Sequence, residues 1–273
     1  MPIVLLSPAK TLDEKPLHPS IPRTAPRMAH ATSALVAIAK KLTAPKIQTL
    51  MGVSAAIAKL NYDRFQSFEQ SDAKQCAHAF DGPAYRGLDA PSLTADDLIF
   101  AQTHLRILSG LYGVLRPLDA IRPYRLEMGS KLENPKGKDL YCFWGEDVTA
   151  SIASDLATQP PEQRFVVNCA SQEYFKSVKP KLLTNQGIEL YTCVFPGPSI
   201  YAKQARGAMC RYIIVNRVTS PEGLKGFTGK EGEWCFDEKQ SKVTDLVFIR
   251  GGAAATKASK AKAAAAAGVP KSA

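Results

Sequence analysis

No apolar run in this sequence approaches the ~20 residues needed to span a bilayer. The N-terminal one is the four-residue stretch Ile3-Val4-Leu5-Leu6, with no basic segment before it. Neither a membrane span nor a secretory signal is expected, which places the chain in the cytoplasm with no membrane partner. Histidine is scarce: His18, His30, His78 and His104 are far apart and form no HExxH pair. Nothing local specifies zinc or iron, and no metal or cofactor site is expected. The six cysteines contain no CxxC and no zinc spacing, so in a reducing compartment they are expected to serve as small buried apolar residues. Phosphate loops are missing too. Gly137-Lys138 and Gly229-Lys230 lack the upstream glycine and the downstream hydroxyl of a Walker A loop, and no GxGxxG occurs. ATPases and nicotinamide enzymes built on those loops are thereby excluded.

What the chain does have is positive charge on a globular composition. Lys and Arg number 35 against 25 Asp and Glu, for a net +10, with 45% hydrophobic and 22% charged residues. A chain of 273 residues can bury roughly 70 to 75% of its unfolded surface. The excess is uneven. Residues 253–273 carry Lys257, Lys260, Lys262 and Lys271 with no acid, and their Ala/Lys composition reads as a disordered basic tail. Residues 171–217 hold Lys176, Lys179, Lys181, Lys203, Arg206, Arg211 and Arg217 against Glu173 and Glu189. A single-sign surface of that kind attracts polyanions.

Strand and helix signals alternate along residues 1–252, with no linker or internal repeat, which predicts one mixed α/β (α+β) domain. Residues 3–6, 165–167, 190–195 and 245–249 read as strands, and residues 14–26 as a proline-rich loop. Helical spacing covers Leu35, Ile38, Ala39 and Leu42. It resumes at Ile47, Leu50 and Met51 and, beyond Gly52, at Ile57 and Leu60. That layout resembles a helix-hairpin-helix with one of its two turn glycines, Ser54 standing in the other place, and an ordinary helical hairpin accounts for it as well. Thr94 caps a helix with Asp97 at its third position; Leu98, Ala101, Leu105 and Leu108 line one face up to Gly110. The apolar stripe Ala205, Met209, Tyr212 and Ile213 predicts a helix over 202–215.

Several segments carry chemistry. Ser7-Pro-Ala-Lys10 matches SxxK without the other elements of the serine-lysine hydrolases, so Lys10 is better read at the end of a strand, where open α/β sheets present ligands to loops. An ordinary exposed lysine fits equally. Arg116, Arg122 and Arg125, interleaved with Tyr112 and Tyr124, form a loop suited to phosphate forks and base stacking; pairing of these arginines with Asp119 and Glu127 is the competing arrangement. On a helix Lys203 and Arg206 share one face, and Gly207 allows close approach of backbone or ligand.

Six ordered blocks together carry a resemblance: Ser7-Pro-Ala-Lys-Thr-Leu-Asp13, residues 108–119 (LSGLYGVLRPLD), residues 123–129 (PYRLEMG), residues 140–145 (LYCFWG), residues 168–176 (NCASQEYFK) and residues 202–207 (AKQARG). They resemble the YaaA family of bacterial peroxide-stress resistance proteins over residues 1 to about 250. The resemblance implies a cytoplasmic protein that aids survival of hydrogen peroxide and is associated with limiting free iron. It further implies a single domain of unusual fold with a basic cleft and a helix-hairpin-helix element, binding double-stranded DNA. The cleft candidates in the matching blocks are Lys10, Arg116, Arg125, Lys138, Lys176, Lys179, Lys203 and Arg206; Tyr124 and Arg211 join them as residues expected to contact bases or phosphates.

The leading expectation is a non-catalytic protein that binds the DNA backbone and limits Fe(II)/peroxide damage. The second is an enzyme acting on a nucleotide or other phosphorylated small molecule in the same cleft, with Lys10, Glu127, Asn168 and Glu173 as polar participants. Direct iron storage is disfavoured by the scattered histidines.

Overall fold

The computed structural model describes residues 2–15, 22–157 and 159–251; the expected basic tail and residues 16–21 of the proline-rich loop lie outside them. A seven-stranded sheet forms the centre. Its strands are β1 (Ile3–Leu6), β2 (Leu105–Ser109), β3 (Gly113–Leu115), β4 (Phe165–Asn168), β5 (Glu189–Val194), β6 (Trp234–Phe236) and β7 (Asp245–Arg250). They lie in the order β6-β7-β5-β4-β1-β2-β3. Neighbours are parallel except at the two edges, where β6 pairs antiparallel with β7 and β3 with β2.

Every residue of β1, β2 and β4 is buried, as expected of parallel strands covered by helices on both faces. Burial extends to Arg106 in the middle of β2, 2% exposed. Its Nε donates to Asp155 at 2.7 Å, and its Nη atoms donate to the carbonyls of Gln102, Thr103 and Leu105. Arg27 holds the other oxygen of Asp155 at 2.6 Å. Burial pushes the Asp155 carboxyl up, but its hydrogen bonds and charge contacts with Arg106 and then Arg27 outweigh that and hold it below the usual carboxylate range.

The covering helices include α1 (Ala29–Ala39), α2 (Ala44–Met51), α3 (Ala55–Gln66), α4 (Pro83–Leu88), α5 (Ala95–His104), α6 (Asp147–Leu156) and α7 (Ser199–Val215). Helix α5 opens on the predicted capping box: Thr94 accepts from the Asp97 amide, and Asp97 accepts from the Thr94 amide. Its end corrects the sequence expectation. The helix stops at His104, and residues 105–109 turn into β2. Leu105 and Ile107 pair with Val4 and Leu6, so the ladder with β1 wins over a helical period that Leu105 and Leu108 continue.

Helices α2 and α3 form a hairpin at Gly52, whose φ of 59° is a left-handed helix end. The amides of Gly52 and Val53 both donate back to the Gln48 carbonyl, so this turn spends them on the helix C-terminus. The stripe on α3 is also shifted. Ile57 and Leu60 are 37% and 48% exposed, while Ala58, Asn61 and Phe65 are buried.

Candidate anion-binding site

From β1 the chain proceeds to β2 on one side, whereas β4, on the other side of β1, is followed outward by β5. Connections therefore leave β1 and β4 in opposite directions. Beyond the carboxyl ends of two such strands an α/β sheet opens a crevice. Here Leu6 hands the chain to Ser7-Pro8-Ala9-Lys10, and Asn168 hands it to Cys169-Ala170-Ser171. Both segments line a crevice of about 260 Å³.

The two strand ends are tied together. The Ser171 amide donates to Ser7 Oγ at 2.8 Å, and the Ser7 hydroxyl donates to Ser171 Oγ at 3.3 Å. The Cys169 amide donates to the Leu5 carbonyl at 2.9 Å, and the Tyr85 hydroxyl to the Ser7 carbonyl at 3.1 Å. Asn168, proposed from sequence as a polar participant, is buried and accepts the Ala170 amide at 2.9 Å. That Asx-type turn steers the chain out of the sheet.

Helix α7 forms the opposite wall. Lys203 and Arg206, one turn apart, both line the crevice. The helix reaches this position because it crosses α4 at backbone contact: a Cβ on Gly207 would lie 1.7 Å from the Ala84 oxygen, and one on Gly87 would lie 2.1 Å from the Gln204 oxygen. The close approach anticipated at Gly207 is thus made by backbone. Arg211, one turn further on, donates to the carbonyls of Leu88 and Asp89 at 3.2 and 3.0 Å. It caps the end of α4 and lies outside the crevice lining. Residues 81–84 complete the wall; no sequence expectation covered this segment, although Gly82-Pro83 is the turn signal that marks it.

Charge in the crevice is unevenly matched. Lys10 Nζ lies 3.4 Å from Glu127 Oε1, which also accepts from Arg125 Nε at 2.9 Å. Glu127 Oε2 is buried without a hydrogen-bond partner, as is Arg206 Nε. Among the described residues no carboxylate pairs with Lys203 or Arg206. Glu173 accepts the Gly129 amide at 3.0 Å, and its carbonyl accepts the Tyr141 hydroxyl at 2.9 Å. Lys176 stands over the Tyr141 ring, 4.7 Å from its centre. Asp139, held below the usual carboxylate range first by the Cys142 amide and further by Lys138 and Lys176, places both lysines near this flank. Lys179 is anchored through its amide, which donates to Thr149 Oγ1 at 2.9 Å. The Tyr174 hydroxyl, buried at the crevice wall, is pushed well above the ordinary phenol range by burial and then by Glu173 and Glu127.

Two arginine-loop residues are spoken for elsewhere. Arg116 donates through Nε and Nη2 to fully buried Asp119 at 3.1 and 2.8 Å, and further to the Ala25 carbonyl. Tyr124, expected to offer a stacking face, is buried instead. Its hydroxyl bonds Ser109 Oγ at 2.6 Å and its ring packs edge-on against Tyr112. The reason is local: Asp119 lies three residues from Arg116 and reaches it within one turn.

A larger cavity of about 530 Å³ lies beside α3, lined by Asp13, Arg23, Asp63, Arg64, Lys74 and Arg122 among others. Its cations are largely matched from within, Arg64 by Glu14, Lys74 by Asp13, and Arg23 and Arg122 by the carbonyls of Ala73 and Ser71. Among the described residues no group of three or more His, Cys, Asp or Glu side chains is arranged to hold a metal ion, and no helix is long and apolar enough to cross a membrane. Five of the six cysteines are buried, as expected, and Cys142 is exposed.

Residues 2–240 match the family described as peroxide stress protein YaaA. A UPF0246 protein of Burkholderia thailandensis is 47% identical over 261 residues, 91% of this chain and 98% of the relative. UPF0246 proteins of Burkholderia mallei and Burkholderia pseudomallei are 46% identical over the same coverage. The six blocks, three of which line the strand-end crevice, fall inside this match, and the chain belongs to the peroxide stress protein YaaA family.

Proposed function

We propose that this chain acts in peroxide stress by binding the phosphate backbone of double-stranded DNA, with little sequence preference, thereby limiting Fe(II)/peroxide damage at the duplex. The observation that carries the reading is the charge imbalance at the crevice. Lys203 and Arg206 face it without a carboxylate partner, and a buried guanidinium N–H lacks an acceptor. A phosphate oxygen supplies the missing acceptor and the missing charge together. Lys10 sits at the same mouth, and Lys138 and Lys176 extend the positive surface along its flank. Phosphate contacts of this sort position a duplex without reading bases.

The test is duplex affinity across a salt series. Each phosphate contact contributes about −0.9 to the slope of log K against log salt, so a Lys203→Ala, Arg206→Ala variant is expected to flatten the slope by roughly 2. Unchanged affinity and slope in that variant overturn this use of the crevice.

A second reading has an observation of its own. The crevice is concave, about 260 Å³, and is lined by the carboxylates Asp81 and Glu173, with Glu127 beside Lys10. These are features of a site for a nucleotide or another small phosphorylated molecule. Thermal-shift titration with nucleoside monophosphates distinguishes the two. Stabilisation saturating at micromolar nucleotide supports the small ligand; binding to duplex alone supports the backbone clamp.

A further inference from the structure

We infer that Cys169, Cys193 and Cys210 form a peroxide-oxidisable thiol relay beneath the strand-end crevice: Cys169 is the sulfur that meets the oxidant, and Cys193 or Cys210 closes a disulfide with it. This inference stands apart from the DNA reading. It uses a cluster of buried nucleophiles that phosphate binding leaves unemployed.

The fold assembles the cluster from three distant segments. Cys169 is the first residue after β4, and Cys193 lies within β5. The parallel register pairs Asn168 with Thr192, so its continuation by one residue sets Cys169 against Cys193. Adjacent strands lie about 4.8 Å apart, inside the window of about 4.4 to 6.8 Å between the Cα atoms of disulfide-bonded cysteines. Cys210 is carried in from α7, on its buried face between Met209 and Ile213. Cys193 and Cys210 are the neighbours that act most strongly on the Cys169 thiol, and all three are free.

Two further features mark this cluster as more than core packing. Cys169 borders the crevice while being 0% exposed, so its sulfur lies directly beneath the crevice surface. Arg206, one turn before Cys210 on α7, places its positive charge near the Cys169 sulfur, and its Nε has no hydrogen-bond acceptor. The electrostatics agree with the geometry. Hydrogen bonds from Cys193 and then Cys210 outweigh burial and, with Arg206, hold the Cys169 thiol well below its usual range. Cys193 is pushed up by its bond to Cys169 and by burial, and Cys210 by burial and by that same sulfur. A thiolate stabilised by donors and a neighbouring cation is the reactive form of cysteine.

The chemistry balances. The Cys169 thiolate attacks one oxygen of hydrogen peroxide; the S–O bond forms, the O–O bond breaks, and hydroxide leaves, giving a sulfenic acid. The Cys193 or Cys210 thiol, its proton passing to the departing oxygen, then attacks that sulfur, and water leaves as the S–S bond forms. Two thiols and one peroxide become one disulfide and two waters.

Exposed Cys142 is the internal reference. The full-length reduced protein is treated with a limiting amount of hydrogen peroxide, denatured, alkylated, and mapped by peptide mass spectrometry. The expected result is a disulfide joining Cys169 to Cys193 or Cys210, formed roughly tenfold faster than Cys142 is oxidised, although Cys142 is the more accessible. In a Cys193→Ser, Cys210→Ser variant shown by circular dichroism to be folded, dimedone is expected to trap the sulfenic acid at Cys169. The inference is overturned if wild-type Cys142 is consumed while Cys169, Cys193 and Cys210 remain fully alkylatable. That result needs no variant to fold.

Discussion

Gly207 of α7 lies so close to Ala84 of α4 that a Cβ placed on it would fall 1.7 Å from the Ala84 carbonyl oxygen. No side-chain rotation relieves a clash with backbone, so Gly207→Ala must push the two helices apart. The expected cost is about 3 kcal/mol or more, at the upper end of overpacking effects. It should appear as a fall in Tm of roughly 6 °C or more. Differential scanning calorimetry measures it, with exposed Lys203→Ala as a neighbour expected to change stability by under about 0.5 kcal/mol.

Asp155 neutralises Arg106 inside the sheet, with Arg27 on its other oxygen. Asp155→Ala leaves a guanidinium buried among carbonyls, a loss expected to be about 3 to 5 kcal/mol. Replacing both members, Arg106→Met with Asp155→Leu, should recover much of it, because the uncompensated buried charge is gone. Urea denaturation of the single and double variants decides between this account and one in which the pair itself supplies the stability.

Stability should fall in two stages as pH is lowered. Burial holds the His104 and His78 imidazoles below their ordinary value, partly opposed at His104 by the Pro2 carbonyl; the Lys74 charge lowers His78 further. The unfolded chain therefore takes up protons near pH 6.5 that the folded one refuses, and stability present above that value drains away as pH falls through the lower folded values. Asp155 acts further down. Its folded-state value is depressed, so its contribution is complete above about pH 3.9 and lost as pH falls through that depressed value. Urea midpoints between pH 8 and 3 give the profile. A His104→Gln, His78→Gln variant should flatten the upper stage alone; an unaltered upper stage contradicts the assignment.

Glu127 restrains two cations at the crevice, Lys10 and Arg125. Under the DNA reading, Glu127→Gln releases both toward phosphate. Duplex binding is expected to tighten severalfold at low salt, with the slope of log K against log salt steeper by roughly 1 to 2. Fluorescence anisotropy across a salt series tests this, and weaker binding would mean that Glu127 orients these side chains productively.

How much of this was legible beforehand differs from element to element. The Thr94 capping box, the strand at residues 3–6 and the helix through 202–215 all follow from signals within a few residues, and the structure contains each. Leu105 and Leu108 misled, because their spacing suits a helix while Leu105 pairs with Val4, a hundred positions away, and Leu108 with Val114 on the edge strand. Ile57 and Leu60 misled for a related reason: apolar spacing on a short helix shows that a face exists, and packing against the rest of the molecule chooses which face is covered. At the crevice, Lys203 and Arg206 were recognisable as a pair on one helix face; the wall at residues 81–84 was not, since it arrives through the α4–α7 crossing.

Composition and local pattern, taken by themselves, determined that this is a basic, mixed α/β chain with caps and strands where short-range hydrogen bonding and periodicity require them, while six ordered blocks carried the family resemblance. Tertiary structure alone decided which cations are paired with carboxylates: Asp119 claims Arg116, Glu127 holds Lys10 and Arg125, and no carboxylate among the described residues claims Lys203 or Arg206. It alone set Cys169 beside Cys193 on neighbouring strands. The physical reason is common to both. Helix and turn preferences are settled within a few bonds along the chain, whereas charge compensation and thiol proximity depend on distances through space that sheet order and helix packing establish.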